Sequence, residues 1–314
     1  MWNYNYTVPE QKKIRLIIHT DCANEADDQY AVAHQLMTPK FDVRGIIAGH
    51  FDFATSFPGA RLQPGETAKA SYREIEQVLD AMGLKAGIPI YLGAGEKLAD
   101  ERTPLISEGA KFIIEEAMRE DSRPLFIGCQ GSITDLASAI LIEPGICERM
   151  TAIWIGGGDY PNGGFEFNLM QDIHAANIVF SSSMPLWQIP MKVYKSLSVS
   201  LAELQYKVAP CGAIGKYLFD QLVACNDAYA MIEQWPHGEL WGLGDQGVIA
   251  VLMQESERVD NFFIRRAPGV DLQTMQYIDC DHNREIRVYE SIDYRLTLED
   301  FFAKLAINYG DSDC

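Results

Sequence analysis

The order of apolar runs and helix-like segments constrains this chain more than any other feature. Short strand-like runs alternate with longer stretches of helical periodicity. The strand-like runs are IRLIIH (14–19), VRGIIAG (43–49), LFIGC (125–129), AIWIGG (152–157) and LWQIP (186–190). Strands that alternate with helices form βαβ units and a largely parallel sheet. Because these runs are apolar throughout, we predict an α/β fold with an open, mostly parallel sheet and helices on both faces.

The helix-like stretches and the last third of the chain complete this prediction. Helical periodicity covers 27–37, 66–83, 108–120, 132–140 and 173–182. Later patterns predict helices near 212–234, 245–254 and 298–308, and strands at 259–266 and 285–290. The sheet is therefore expected to be mixed. With no internal repeat and no long linker, residues 1–314 are predicted to form a single domain.

Composition excludes several classes of function. The chain carries 26 basic and 44 acidic residues, a net charge of −18, which argues against nucleic acid or an anionic membrane as partner. The seven cysteines are scattered without a CxxC pair, which predicts reduced thiols and no zinc site. The sequence shows neither a signal-peptide hydrophobic region nor an apolar run of 18 residues. We therefore expect a cytoplasmic protein.

Polar residues follow several predicted strands at the point where each strand ends. Four acids, Asp21, Glu25, Asp27 and Asp28, fall within eight positions after the first strand, and His50 follows the second. Asp27 and Asp28 alone would fit a helix N-terminus. Asp21 is harder to explain as a cap, and such a loop supplies the oxygen ligands that Ca²⁺ or Mg²⁺ prefers. In an open α/β sheet these strand ends converge on a ligand-binding crevice.

Four segments together resemble the inosine-uridine nucleoside hydrolase family. They are HTDCANEADDQYAV (19–32), GSITDLASA (131–139), GGFEFNLMQDIHAA (163–176) and GDQGVIAVL (244–252). Each is weak alone, but they occur in the family's order. The resemblance implies the Rossmann-like nucleoside hydrolase fold and Ca²⁺-dependent hydrolysis of N-glycosidic bonds in ribonucleosides or related ribosyl compounds. It also implies a homo-oligomer, a dimer or tetramer, that acts in purine or pyrimidine salvage.

The resemblance assigns roles to individual residues. The metal would be held by the carboxylates of Asp21, Asp28 and Asp245 and by the backbone carbonyl of Thr134. Asp21 would also accept the proton of the attacking water. The substrate contacts would come from Asp27, His50, Asn162, Glu166, Asn168 and Trp241. Taken singly, Thr134 and Asp245 would equally fit helix caps, and Glu166 and Asn168 a polar loop.

Departures from the family pattern mark a divergent member. His19 stands at the family's first Asp, and Asp135 at an Asn. Gly244 replaces the usual His before the late Asp, and the first motif is expanded by two residues over Cys22–Glu25. We predict altered specificity; the alternative is a catalytically altered protein that binds a sugar or nucleoside. A haloacid-dehalogenase-like phosphatase is disfavoured, because its nucleophilic Asp would stand at His19.

The leaving base needs a proton or a stacking partner. His237 is the predicted proton donor, with His50 as a second catalytic candidate. Trp241 would stack on the base, although packing of its loop on the sheet is the alternative explanation. The Pro- and Gly-rich stretch 51–65 is predicted to cover the site.

Overall fold

The computed structural model describes residues 2–51, 65–85, 87–230, 238–254 and 261–310. Its strands are β1 (Ile14–Thr20), β2 (Phe41–Ala48), β3 (Ile90–Leu92), β4 (Leu125–Cys129), β5 (Thr151–Ile155), β6 (Leu186–Ile189), β7 (Ser198–Ser200), β8 (Leu240–Gly242), β9 (Phe262–Arg266), β10 (Gly269–Val270), β11 (Tyr277–Ile278) and β12 (Glu285–Tyr289). Its α-helices are α1 (Asp28–Met37), α2 (Thr67–Ala81), α3 (Glu108–Ala117), α4 (Thr134–Ile142), α5 (Phe167–Gln171), α6 (Ile173–Ser181), α7 (Met191–Tyr194), α8 (Leu201–Lys207), α9 (Gly212–Ala228), α10 (Gly247–Met253) and α11 (Tyr294–Tyr309).

The main sheet has eight strands in the order β3-β2-β1-β4-β5-β6-β12-β9. Every neighbouring pair from β3 to β12 is parallel, and β9 pairs antiparallel with β12. The order reverses direction between β1 and β4, which is where doubly wound sheets bind ligands. The predicted open, mixed and mostly parallel sheet is confirmed.

Helices cover both faces of this sheet, as the continuous apolar strands predicted. All seven residues of β1 are buried. Leu16 and Ile18 pack into the core formed with α1, α9, α10 and α11, whereas Ile17 packs into the opposite core with α3, α4 and α6. Truncating any of these three to Ala would cost about 2–5 kcal/mol.

Helix α1 is the most enclosed helix at the ligand-binding edge. All ten of its residues are buried, including Asp28, His34 and Gln35. A helix that is buried all round needs partners for its polar side chains. His34 contacts Gln246 and Asp300, and Gln35 donates to the side chain of Gln130. This helix therefore fixes the acid-rich β1–α1 turn relative to the elements around it.

The structure refines the predicted elements at their ends. The long helix predicted over 212–234 ends at Ala228, and the helix predicted from 245 begins at Gly247, after a 3₁₀ turn at Gly244–Gln246. The short β3 and α5 were not predicted, because three to five residues carry no clear periodicity. None of the described helices has the length and apolar character needed to cross a membrane.

Candidate active site

Carboxylates converge in a cavity of about 50 Å³ beyond the carboxyl ends of β1, β4 and β5. Its described lining residues are Asp21, Asn24, Glu25, Asp27, Asp28, Gln130, Ile155, Glu166, Phe167, Asn168, Tyr194, Gly244 and Asp245. Six of the predicted site residues are brought together here, namely Asp21, Asp27, Asp28, Glu166, Asn168 and Asp245. Sequence segments more than 200 residues apart thus meet at one point.

The β1–α1 turn is held in place by its own polar groups. The backbone N–H of Asn24 donates to the Asp21 carbonyl at 2.7 Å, and its side-chain amide donates to Asp21 Oδ2 at 3.2 Å. Gln29 Nε2 bonds the Cys22 carbonyl at 2.7 Å. The hydroxyl of Thr20, the last residue of β1, donates to Asp28 Oδ1. The expanded turn is therefore ordered, with Asp27 and Asp28 at the positive N-terminal end of α1.

Asp245 reaches the same cavity from the 3₁₀ turn Gly244–Gln246. Its backbone N–H donates to Asp27 Oδ2 at 3.2 Å. A Cβ atom at Gly244 would lie 2.8 Å from the ring of Tyr194. Tyr194 thus fills the space that a side chain at position 244 would need, which accounts for the glycine where the family usually has histidine.

The donor set fits a hard cation. Asp27, Asp28 and Asp245 each offer a carboxylate oxygen, and these atoms lie within 4.8 Å of one another. That spacing suits one ion with oxygen ligands at about 2.3–2.6 Å. Asp245 is 4% exposed, and its Oδ2 has no hydrogen-bond partner among the described residues. A buried carboxylate oxygen without a donor is costly unless a cation or ligand group contacts it.

Ionisation of these acids is disfavoured in the protein without a cation. Burial first, and then the neighbouring carboxylates, raise the pKa of Asp21, Asp27 and Asp245 well above the usual value. Burial raises the pKa of Asp28 to about 6, and burial together with the Asp28 charge raises that of Glu25 to about 7. A divalent cation would oppose both causes, so binding and deprotonation are coupled.

The opposite wall of the cavity is built around Glu166. This fully buried carboxylate caps α5, accepting from the backbone N–H of Asn168 at 3.0 Å and of Leu169 at 2.8 Å. It also accepts from the Gly157 N–H at 2.7 Å and from the Tyr194 hydroxyl at 2.6 Å. Asn168 Nδ2 donates to the Ile155 carbonyl at 2.8 Å, which orients its amide at the cavity wall.

Thr134 and His50 lie in a hydrogen-bonded group behind the cavity. His50 Nε2 contacts the Thr134 hydroxyl at 2.8 Å, and that hydroxyl donates to Asp172 Oδ2 at 2.7 Å. Neither residue is among the described lining residues of the cavity. From the β4–α4 turn, it is Gln130 that lines the cavity. Gln130 is 1% exposed, and its Nε2 has no partner among the described residues. No motif pointed to Gln130, although its place directly after β4 was a usable signal.

Two other predicted site residues, Trp241 and Asn162, lie outside the cavity. Trp241 is in β8 and packs in the hydrophobic core, at 2% exposure. Asn162 is exposed in the loop after β5, where its carbonyl accepts from the Tyr277 N–H at 2.9 Å. The structure therefore offers no support for these two as substrate contacts in the described cavity. His237, and all of the predicted covering stretch except Phe51 and Gly65, lie outside the described residues.

The two departures at His19 and Asp135 contact each other. His19 Nε2 and Asp135 Oδ2 are 2.9 Å apart, and both side chains are fully buried. Burial alone would raise the pKa of Asp135, but the contacts with His19, Ser107 and the Ala94 N–H outweigh it and lower that pKa. The two changes thus form one paired unit behind the acid-rich β1–α1 turn.

A doubly wound sheet with a carboxylate-lined crevice beyond its strand ends defines an α/β domain built to bind a ligand at its switch point. The chain belongs to the inosine-uridine preferring nucleoside hydrolase family, whose model matches residues 16–295. The resemblance of the four motifs is thereby confirmed.

Named relatives place the chain within this family. The inosine-uridine preferring nucleoside hydrolase of Crithidia fasciculata is 30% identical over 109 residues, which cover 33% of this chain and 32% of that protein. The matched stretch thus spans about a third of that relative's length. A purine-preferring ribonucleoside hydrolase from Gardnerella vaginalis shares the fold with a TM-score of 0.73 and 18% identity, covering 93% of this chain and 98% of that one. The type III effector protein XopQ, solved with adenosine diphosphate ribose, shares it at 0.64 and 15%, over 95% of this chain and 94% of that one.

Proposed function

We propose that this protein is a Ca²⁺-dependent hydrolase of the N-glycosidic bond in ribonucleosides or related ribosyl compounds. The observation that carries the proposal is the close set of buried carboxylates, Asp27, Asp28 and Asp245, in which Oδ2 of Asp245 has no hydrogen-bond partner in the part of the chain that the structure describes. Family membership adds support, because the relatives' names describe nucleoside hydrolases.

The cation would be held by oxygen ligands from three elements. Asp27, Asp28 and Asp245 would supply carboxylates in this proposal, because their oxygens lie within 4.8 Å of one another. Asp21, which lines the same cavity but is outside that close set, would be a further ligand as the resemblance implies. For the backbone ligand of the β4–α4 turn, Gln130 is a better placed candidate than Thr134, since only Gln130 lines the cavity. When bound, the ion would acidify a water molecule and grip ribose hydroxyls.

The protein's own residues would complete the reaction. Asp21 would accept the proton of the attacking water. Asp27, Glu166 and Asn168 would hold the ribose hydroxyls, and Tyr194 would keep Glu166 in place through its 2.6 Å hydrogen bond. The surrounding carboxylates would stabilise the positive charge that develops on the sugar ring. His237 stays the predicted proton donor for neutral leaving bases.

A nucleoside panel tests the proposal. Wild-type protein would be incubated with purine and pyrimidine ribonucleosides, with Ca²⁺ or with chelator, and free ribose measured. We expect ribose release that chelation abolishes and that Asp245→Asn, which keeps the side-chain shape, strongly reduces. No release from any member, with Ca²⁺ present, would contradict hydrolysis.

The second candidate function is ligand binding without turnover. Two observations favour this candidate. The fold is similar to that of an effector solved with adenosine diphosphate ribose, and the chain departs from the family pattern at His19, Asp135 and Gly244. This candidate predicts that ribose or a nucleoside raises the melting temperature while no free ribose appears. The six carboxylic acids of the cavity would repel the negative charge of a diphosphate-bearing ligand.

We further propose that the protein is a cytoplasmic dimer or tetramer with a role in salvage. Sedimentation would test the oligomeric state, and cell fractionation would test the location.

A further inference from the structure

The cavity has a buried interior, and its mouth is marked by the half-buried residues among its lining. Of its described lining residues, only Glu25, Phe167 and Tyr194 are half-buried; the others are buried. The groups proposed to grip ribose lie in the buried part. A ribose bound there would direct its leaving group towards the mouth, where that group meets two aromatic rings and one carboxylate.

The charge of the cavity is one-sided. Six of the lining residues are carboxylic acids, and none of the described ones is Lys, Arg or His. Lys195, close enough for its charge to act on Glu25, is exposed and does not line the cavity. The Tyr194 hydroxyl is already engaged with Glu166. A bound divalent cation would offset only part of the negative charge, so the mouth favours positive groups and opposes phosphates.

Glu25 belongs to the expansion of the first motif and is the only acid among the described residues that line the mouth. A carboxylate beside aromatic rings is the arrangement that recognises a delocalised organic cation, through charge and through ring faces. We infer that the preferred substrates are ribosides with a cationic aromatic leaving group, such as a pyridinium ring, and that Glu25 sets this preference. The inference rests on the proposed hydrolase function and narrows its substrate class.

The chemistry is balanced without a proton donor at the mouth. Water adds to C1′ of the ribose as the bond from C1′ to the ring nitrogen breaks. The bonding electron pair leaves with the nitrogen, which neutralises the pyridinium charge, and the water proton passes to Asp21. The products are ribose and a neutral aromatic base. A neutral purine or pyrimidine, by contrast, needs a proton on leaving.

The test compares two substrates across four proteins. Nicotinamide riboside, which is cationic, and uridine, which is neutral, would be assayed at pH 8 with saturating Ca²⁺. The proteins are wild type, Glu25→Gln, Glu25→Asp and Glu203→Gln. Glu203 is also half-buried but lies on α8 outside the cavity, so its variant matches the change in net charge. The intrinsic lability of each substrate is common to all four proteins and cancels in the ratios.

We expect Glu25→Gln to lower kcat/KM for nicotinamide riboside at least about fivefold and to change that for uridine less than about twofold. Glu25→Asp should keep most of the preference, and Glu203→Gln all of it. Equal effects of Glu25→Gln on both substrates, or no effect on either, would overturn the inference.

A binding experiment separates this inference from the proposed function. The dissociation constants of 1-methylnicotinamide, a cation, and nicotinamide, its neutral counterpart, would be measured with ribose and Ca²⁺ present. We expect the cation to bind at least about fivefold tighter in wild type and in Glu203→Gln, but not in Glu25→Gln. Equal binding of the two rings to wild type would overturn the inference even if nucleosides are hydrolysed. The expected preference without any hydrolysis would support the recognition of a cationic ring by Glu25 while contradicting the hydrolase function.

Discussion

Asp135 and Asp245, two buried aspartates near the same edge of the sheet, differ in the hydrogen-bond donors that surround their carboxylates. Asp135 is fully buried and accepts from His19 Nε2 at 2.9 Å, the Ala94 N–H at 2.9 Å and the Ser107 hydroxyl at 2.5 Å. Asp245 is nearly as buried, yet its Oδ2 has no partner among the described residues. The pKa of Asp135 is lowered despite its burial, while burial and neighbouring acids raise that of Asp245.

The comparison of Asp135 with Asp245 shows that burial of a carboxylate does not by itself indicate a ligand-binding site. Donors from three elements satisfy Asp135, so it needs nothing from outside the chain. Asp172 is treated similarly, accepting from the N–H groups of Leu98 and Ala175, each at 2.9 Å, and from the Thr134 hydroxyl. The carboxylate oxygens of Asp27, Asp28 and Asp245 instead lie within 4.8 Å of one another. We interpret the first set as scaffold and the second as the site for a cation.

The largest expected effect is on the scaffold side of this comparison. Asp135→Ala leaves His19 buried without its partner, and breaking such a pair costs about 3–5 kcal/mol. Denaturant unfolding should show this loss, with Asp135→Asn less severe because its amide oxygen still accepts. A change below about 1 kcal/mol for Asp135→Ala would mean that the paired unit contributes little.

On the cavity side, turnover should be the quantity that changes. Asp21→Asn is expected to slow hydrolysis at least about 10²-fold, the lower range for removing a general base. Asp220→Asn, an exposed position on α9 with a single ion pair, is the matched control and should leave turnover unchanged. Activity near wild type in Asp21→Asn would remove Asp21 from the mechanism.

Unfolding free energies measured across a pH series, with and without Ca²⁺, test whether the cavity carboxylates resist ionisation. Groups whose pKa is raised on folding stabilise the fold below their unfolded pKa, near 4, and that contribution is lost as pH rises through the folded value. For Asp28 and Glu25 the folded values are about 6 and about 7. The metal-free protein should therefore lose stability relative to the Ca²⁺-bound protein between about pH 4 and pH 8. Ca²⁺ at 100 times its Kd would add about 2.7 kcal/mol. A difference in unfolding free energy between the Ca²⁺-bound and metal-free proteins that stays constant across this pH range would contradict the prediction.

Much of the fold could be predicted from the sequence, because the spacing of apolar residues in a long segment indicates which of its faces is buried. The run at 125–129 coincides with β4, and that at 14–19 lies within β1. At the site, Asp21, Asp27 and Asp28 follow the end of the first strand, where a ligand-binding crevice was expected. Asp245 was assigned only from the family resemblance. Gln130 was missed because no motif contains it, although it directly follows β4. Tyr194 was missed because its position at the cavity depends on tertiary packing. Trp241 was ambiguous for the same reason, as a buried aromatic and a stacking residue look alike in a sequence.

The smallest expected effect concerns the contact between α1 and the Asp245 turn. His34 Nδ1 lies 2.6 Å from Gln246 Oε1, and its Nε2 lies 2.7 Å from Asp300 Oδ2. His34→Phe removes both hydrogen bonds and should weaken Ca²⁺ binding by about 1 kcal/mol, or about fivefold. Asp300→Asn keeps the Gln246 contact and should leave Ca²⁺ affinity nearly unchanged. An equal loss in both variants would show general destabilisation instead of positioning.

Calorimetric titration of Ca²⁺ into wild type, Asp245→Asn and Asp135→Asn shows whether the cavity carboxylates form the cation site. We predict one bound ion per wild-type chain, an affinity reduced by at least about tenfold in Asp245→Asn, and the same stoichiometry in folded Asp135→Asn. The absence of Ca²⁺ binding to wild type, or an equal loss in both variants, would contradict the assignment of the cavity carboxylates as the cation site.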